Sequence, residues 1–392
     1  MRGFAASLEF NPGGFRRNSS GHTCSQGVTP VAEWTYQTTD PLTVKIWAKQ
    51  MMVQFAQWSF YLRISSKEDT SAVMVRDELE KHAGDQVTFG ESTLLTGAGV
   101  MGLNALTGSE EAPQTYADAL IINELCHAIL LMGPISNQRV LFDRRKVGRS
   151  RLADWYAARC DHAGANQLGS YTPQTDPRYT GLQACVGTTR QILPTGVTDA
   201  ATLTTTNTFQ LTFWDTAVRT AKSLTNGIRP IKVNGRDLFI GVMHPSQTTD
   251  MRQNTSTGQW LDLEKAAMTG GDVGDNPIWW NSLGMYHGVL MHENSRVTNA
   301  VSNAGAAVAN TKRAPFLGAQ AAVLAFGRGQ GEAQKFRWLE ELRDFGRQIG
   351  IGCSAVWGMV KVQFNAQDFA VMAIDTYGLD IDPLGSAATN AQ

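Results

Sequence analysis

The sequence predicts an α+β fold, because strands and helices are intermixed without the regular alternation that builds a doubly wound parallel sheet. Short apolar runs of strand type fall at 237–243, 286–292 and 319–326. Helix-period stretches cover about 137–168 and 209–224, and a glycine-punctuated segment fills 73–132. No internal repeat is apparent.

Composition narrows the class further. A chain of 392 residues with 42% hydrophobic content buries a sizeable core. Its 34 basic residues are balanced by 35 acidic ones, for a net charge of −1. A dedicated nucleic-acid binder rests on a large excess of Lys and Arg, so that class is disfavoured and only weak contact with DNA is left open. The cysteines Cys24, Cys126, Cys160, Cys185 and Cys353 are scattered with no Cys-x-x-Cys pair, and they read as small buried hydrophobes in a reducing compartment. Residues 1–24 lack the apolar core of a signal peptide, and no apolar run is longer than 321–326, against the roughly 20 residues a membrane span needs. A protein made and kept in solution, with no membrane association, is expected.

Taken in order, residues 1–39 are rich in Gly, Ser, Asn and Thr and are expected to form an arm that takes its order from a neighbour. Asp40-Pro41 reads as a helix start, and Val44, Trp47, Met51, Phe55 and Trp58 share one helical face, the ordinary pattern of core packing. Gln86-Val87-Thr88-Phe89 alternates like a strand, glycines at 97, 99, 102 and 108 mark bends, and 115–131 returns as an apolar limb. This predicts a long hairpin-like loop, and an isolated two-stranded ribbon is marginal in water, so it needs an outside surface to lie on.

A long helix is expected over about 137–168, with Leu141, Leu152, Trp155, Tyr156, Ala163 and Leu168 near one side. Gly148 and Gly164 weaken it by about 1 kcal/mol each against Ala. The Thr-, Gly- and Pro-rich stretch 170–207 has little periodicity and reads as surface loop. A helix over 209–224 precedes the strand 237–243, and His244-Pro245-Ser246 turns into another helix. Residues 286–292 and 319–326 read as further strands. After an amphipathic stretch at 335–347, segments 356–362 and 368–377 read as two antiparallel strands joined at Asn365-Ala366.

Catalytic chemistry is not signalled. His287, His292 and Glu293 are the nearest approach to a metal site, but helical zinc pairs sit at i and i+4, whereas these histidines are five apart in a strand-like run. Odd separations in a strand point to opposite faces, which favours polar residues at a strand end. Neither a nucleophile elbow with its partners nor a phosphate-binding loop is present, and Gly327-Arg328-Gly329-Gln330-Gly331 reads as a flexible turn. No cofactor is implied. The cations Arg144, Arg145, Lys146, Arg149 and Arg151 read either as a solvated helix face or as a patch facing phosphate or an acidic neighbour.

Several blocks, in order, carry a resemblance. They are Ala83-Gly84-Asp85-Gln86-Val87-Thr88-Phe89, Leu95-Thr96-Gly97-Ala98-Gly99-Val100, Leu106-Thr107-Gly108-Ser109-Glu110-Glu111 and Leu152-Ala153-Asp154-Trp155-Tyr156. Downstream follow Asn276-Pro277-Ile278, Gly288-Val289-Leu290-Met291-His292-Glu293, Leu317-Gly318-Ala319-Gln320-Ala321, Asp344-Phe345-Gly346 and Asp368-Phe369. Across 41–377 the chain is similar to the tailed-phage major capsid family of the N-four-like podoviruses, which has the Hong Kong 97-type (Johnson) capsid fold. The resemblance implies an N-terminal arm with an amphipathic helix (1–66), an extended loop with flanking strands (67–134) and the spine helix of a peripheral domain (135–170). It further implies an axial domain with connecting elements (171–345), then peripheral return strands and a tail (346–392). The stretch 170–207 matches no block of the family.

The function implied is that of a non-enzymatic shell subunit, forming hexamers and pentamers of an icosahedral head around double-stranded DNA, in virions assembled in the host cytoplasm. Leu95, Gly97, Gly99, Val100, Leu106, Gly108, Glu110 and Glu111 would lie on the adjacent subunit. The cations at 144–151 would face DNA or scaffold. A separate scaffolding protein, a portal and a decoration protein are the partners the resemblance brings, since no charged helical segment precedes the arm. A nanocompartment shell of the encapsulin kind, sharing the fold but enclosing enzymes, is the alternative; a metal-dependent hydrolase using His287, His292 and Glu293 is a third.

Overall fold

In the computed structural model the described residues are 55, 59–81, 84–92, 95, 97–102, 107–108, 110–131, 133, 135, 138–139, 143–224, 227–233, 235–254, 284–327 and 335–380. The expected arm, most of the stripe that follows it (Val44, Trp47, Met51, Trp58), Leu106 and Leu141 lie outside them. In chain order the strands are β1 (Ser65–Ser66), β2 (Val73–Arg76), β3 (Gln86–Ser92), β4 (Thr115–Ile121), β5 (Asn123–Leu131), β6 (Gln191–Ile192), β7 (Ile231–Val233), β8 (Arg236–Met243) and β9 (Met285–Tyr286). They continue as β10 (Val289–Glu293), β11 (Thr311–Leu317), β12 (Ala322–Phe326), β13 (Phe336–Arg343), β14 (Gln348–Lys361), β15 (Gln363–Phe364), β16 (Gln367–Asp368) and β17 (Val371–Tyr377). The longer helices are α1 (Arg144–Leu168), α2 (Thr212–Ser223) and α3 (Pro245–Gln253). The mixture is α+β, as the pattern predicted.

One sheet runs β1-β2-β12-β14-β13, with β5 on the other edge of β14. The long β14 organises it. Its first half lies between β13 and β5, with Cys353 opposite both Trp338 and His127, and its second half pairs with β12 from Trp357 to Lys361. Alternating burial along β13 leaves Phe336, Trp338 and Glu340 inside, so the amphipathic stretch at 335–347 is a strand.

Helix α1 covers this sheet. It begins at Arg144, where the Asp143 carboxylate caps the Arg145 amide at 2.9 Å, rather than at 137. Leu152, Tyr156, Ala163 and Leu168 are buried, each large apolar side chain contributing about 1.5–3 kcal/mol. The Tyr156 hydroxyl lies 2.8 Å from the carbonyls of both Leu125 and Cys353, pinning the helix to β5 and β14. Gly164 earns its place: a Cβ there would sit 2.4 Å from the Tyr61 ring. The buried Asp161 carboxylate accepts from Ser59 Oγ at 2.7 Å and the Phe60 amide at 2.9 Å, docking that turn on the helix.

The second sheet runs β6-β17-β11-β8-β10-β9, with β7 on β8. Its core joins Phe209, Trp214, Phe239 and Phe316, and Gly241 admits the Trp214 ring, whose Cη2 would lie 2.5 Å from an added Cβ. α3 opens as expected: His244 Nδ1 caps the Ser246 amide at 3.2 Å, Gln247 Oε1 accepts from the His244 amide at 3.1 Å, and Pro245 fills the first turn.

Several expectations are corrected. Residues 286–292 are not one strand but the hairpin β9–β10, turned at His287 (φ 47°) and Gly288 (φ 79°). The segments 356–362 and 368–377 join through Asn365-Ala366 as read, but they pair only through β15 and β16; β14 and β17 belong to different sheets. The 170–207 stretch is not a surface loop. It supplies β6 to the second sheet, seats Gly181 (φ 75°) against Met359 and buries Thr180 and Ala200. It packs by hydrogen bonds rather than by an apolar face, so it has no periodicity to read. Cys160 and Cys353 are buried, whereas Cys126 is exposed on β5.

Candidate functional site

The predicted extended loop is a ribbon of β3 and β4 that pairs with neither large sheet. Its base is held: Val87, Phe89, Leu120 and Ile122 pack with Met74, Leu79, Val323 and Val360. Phe89 meets Phe364 edge-on at 6.3 Å, and Asp118 Oδ2 accepts from the Gln363 amide at 3.0 Å. Burial then fades along β4, from Leu120 at 0% exposed to Thr115 and residues 110–114, all of them open.

At the tip one carboxylate ties the two limbs together and a second closes a local turn. Glu111 Oε2 accepts from the Gly97 amide and Glu110 Oε2 from the Gly108 amide, each at 2.6 Å. Leu95 is 64% and Met101 85% exposed. Gly99 (φ 73°), Gly102 (φ 68°) and Gly108 (φ 93°) occupy left-handed backbone with open space around them. Of the predicted loop residues, Gly97, Gly99, Val100, Gly108, Glu110 and Glu111 are thus gathered with Leu95 at this end of the ribbon.

The five predicted cations all sit at the start of α1, but they are not a uniform charged face. Arg145 forms an ion pair with the buried Glu340, which Trp338 Nε1 also contacts at 3.1 Å. Arg151 lies 3.6 Å from Asp154 at the surface. Lys146 is exposed and Arg144 and Arg149 are half-buried. On the helix, Arg144, Arg151, Trp155, Arg159 and His162 fall on one line by their spacing. Trp155 stacks on His127 at 4.3 Å, and Arg159 lies over Tyr179 at 3.9 Å. Burial, followed by Arg296 and Arg159, holds His162 down to about 4.

The histidine pair does not converge. His287 Nδ1 lies 2.8 Å from Asp215 Oδ1, whereas half-buried His292 packs edge-on against Phe60. Among the described residues no group of three His, Cys, Asp or Glu is placed to hold a metal ion.

A polar junction between the sheets was not anticipated. Lys361, fully buried at the end of β14, pairs with buried Asp368 at 2.6 Å and with Ser170 Oγ at 2.6 Å. Asp368 also accepts from Thr188 Oγ1 and the Thr189 amide, both at 2.9 Å. Burial raises the Asp368 carboxyl, but the Lys361 charge and these donors outweigh it and hold the group below its ordinary range. On the second sheet Arg313 grips Asp375 with two contacts of 2.7 and 2.6 Å, both residues buried, and reaches Val301 O at 3.1 Å. A lone Lys inside the apolar run 356–362 was the available signal.

Comparison with known proteins follows the same outline. A family model described as phage capsid protein matches residues 35–379. The major capsid protein of Pseudomonas phage KPP25 is 23% identical over 364 residues, covering 84% of this chain and 93% of that protein. The capsid of Ralstonia phage GP4 superposes with a TM-score of 0.70 at 26% identity, over 93% of this chain and 100% of that one. The Cyanophage Pam1 capsid asymmetric unit gives a TM-score of 0.66 at 18% identity, over 83% and 94%. These likenesses make the fold Hong Kong 97-like.

Proposed function

The chain belongs to the phage capsid protein family, and from that premise we propose how this subunit builds its shell. It is a structural component of the virion, a major capsid protein that associates with copies of itself. Hexamers and pentamers enclose the double-stranded DNA genome, after assembly in the host cytoplasm. On this reading 1–66 is the arm with its amphipathic helix, 67–134 the extended loop, 135–170 the spine helix, 171–345 the axial domain with its connections, and 346–392 the peripheral return strands and tail. No catalysis is assigned to it.

One observation carries this reading. The β3–β4 ribbon is packed at its base and open at its tip, where the described apolar side chains Leu95 and Met101 are strongly exposed. Two strands do not hold such an extension in water, whereas the surface of an adjacent subunit does. Leu95 and Val100 supply its apolar contacts and glycines 97, 99 and 108 its bends, while Leu106, outside the described residues, is assigned here from the sequence alone. Glu111 braces the limbs and Glu110 closes the turn at Gly108. Obligate contacts of this kind bury above ~2,000 Å². Arg144, Lys146, Arg149 and Arg151 face packaged DNA or an acidic scaffolding partner, with Arg145 committed to Glu340. A separate scaffold, a portal and a decoration protein complete the expected partners. The matched family and the Pseudomonas phage relative favour a phage head over a nanocompartment.

Replacing residues 95–111 with a two-residue Asn-Gly turn tests the assignment. The shortened chain is expected to keep its far-UV circular dichroism and melting temperature while forming no closed particles by negative-stain microscopy with its assembly partners. Closed particles at wild-type yield would overturn it.

A further inference from the structure

Beside the packed base of the ribbon lies a small polar cleft that shell building does not call on. Its volume is about 190 Å³. Sites for drug-sized ligands run to roughly 300–1,000 Å³, so this one suits a small ion. Met74, Phe89 and Val362 form its floor, all buried in the core cluster under the ribbon. Asp69, Arg76, Arg229 and Gln320 line the rest, drawn from three separate segments of the chain.

The fold brings these groups together. Arg76 stands two residues after Met74 on β2 and so shares its face. Its Nη1 reaches Glu78 only at 3.4 Å, and its Nε is buried with no hydrogen-bond partner among the described residues. A guanidinium carries five N–H donors, so that one long contact does not exhaust it. The Ala319 amide donates to the Arg229 carbonyl at 2.8 Å, which seats Arg229 beside the β11–β12 turn, and its Cζ lies 6.0 Å from the Phe369 ring centre. Gln320 occupies that turn at φ 61°, left-handed backbone that glycine adopts freely and a longer side chain does not. Strain kept where a carboxamide lines a polar cleft points to a use for that side chain.

The charges identify the ligand. Two cations and one anion line the cleft, so it attracts an anion overall. Guanidinium forks match the oxygens of an oxyanion. The Asp69 carboxylate only accepts hydrogen bonds, so it repels an oxyanion whose oxygens are all bare and suits one that also carries an O–H. At neutral pH free phosphate keeps a P–OH. Sulfate and a DNA phosphodiester have none, and a phosphomonoester loses its own with a pKa of about 6. We propose that the cleft binds inorganic hydrogen phosphate, with Arg76, Arg229 and the Gln320 amide donating to its bare oxygens and Asp69 accepting from its P–OH. The bound ion ties β2, the α2–β7 connection and the β11–β12 turn together beside the ribbon base. Binding belongs to the single subunit and does not depend on the shell-building reading.

Calorimetric titration of unassembled subunits with sodium phosphate and with sodium sulfate, at neutral pH and matched ionic strength, tests it. Phosphate is expected to bind at one site per chain and sulfate about tenfold more weakly, the cost of one mismatched charge-assisted contact. Arg76→Gln combined with Arg229→Gln should weaken phosphate by about tenfold or more. Asp69 is exposed, so Asp69→Asn should leave the melting temperature unchanged while bringing sulfate level with phosphate. Should the double arginine variant fail to fold, the phosphate-to-sulfate ratio in Asp69→Asn still decides. A wild-type chain that binds no phosphate overturns the site. Equal binding of both ions by the wild type, or an unchanged ratio in Asp69→Asn, overturns the assignment to hydrogen phosphate and leaves an adventitious ion only.

Discussion

The second sheet and the β3–β4 ribbon use paired strands in opposite ways. In the second sheet, β11 is paired on both sides, by β17 along its length and by β8 at its end, and every residue of β11 is buried. Its most deeply buried charge pair, Arg313 with Asp375, is sealed inside and satisfied by extra acceptors. The ribbon has a single partner per strand and a tip held by two carboxylate-to-amide contacts in open solvent. One region finds its free energy within the chain, and the other, on the proposed reading, draws it from a neighbour. The contrast teaches where to look for stability and where for assembly.

The largest effect that would break the contrast lies at Arg313. Arg313→Met leaves Asp375 buried without its cation, and losing one partner of a buried pair costs about 3–5 kcal/mol. Denaturant unfolding of unassembled subunits is expected to show that loss. The double variant Arg313→Met with Asp375→Leu should recover most of it, because the desolvated charge is gone as well. A loss below about 1 kcal/mol would mean the pair is not the sealed element that its burial implies.

A smaller effect is expected with pH at the start of α3. Burial, and then the Lys312 charge, holds His244 down from 6.5 to about 4, against the smaller opposing pull of Asp380. The folded form therefore binds its proton less readily than the unfolded chain. His244 favours the fold fully above pH 6.5, and this contribution drains away as the pH falls toward 4. His162 drains in the same window and sense. His244→Asn retains a capping acceptor, so stability measured from pH 7 to 4 should fall less steeply than in the wild type. Equal slopes would show that His244 is solvated.

How much of this was legible depended on whether a residue's partners were periodic. The strand at β8, the cap at His244-Pro245 and the apolar face of α1 declared themselves because side chains at fixed spacing bury against one surface. The ribbon was legible for a different reason: glycines at 97, 99, 102 and 108 interrupt an otherwise apolar pair of limbs. What stayed hidden was long-range and polar. Nothing local says that Thr188 and Thr189 reach Asp368, some 179 residues on, or that Arg145 turns inward to Glu340. His287-Gly288 read as mid-strand because the apolar residues after it mask a tight turn whose only sign is the glycine. Phe345 lay inside the block Asp344-Phe345-Gly346, yet only the fold shows it in a left-handed turn and fully exposed.

The smallest expected effect on stability sharpens the comparison most. Met101 is 85% exposed at the ribbon tip, so Met101→Ser removes almost no buried surface from the isolated chain. Surface changes of this kind stay within about 0.5 kcal/mol, and unfolding midpoints of variant and wild-type subunits should coincide. If the tip is covered by a neighbour, the same thioether loses its burial in every copy of the shell, and a cost repeated at each contact grows with particle size. Particle yield or the denaturant tolerance of assembled shells should therefore fall where the subunit does not. A variant subunit that unfolds early would show that the tip packs on its own chain, and the division between self-ordered sheet and neighbour-ordered ribbon would then be wrong.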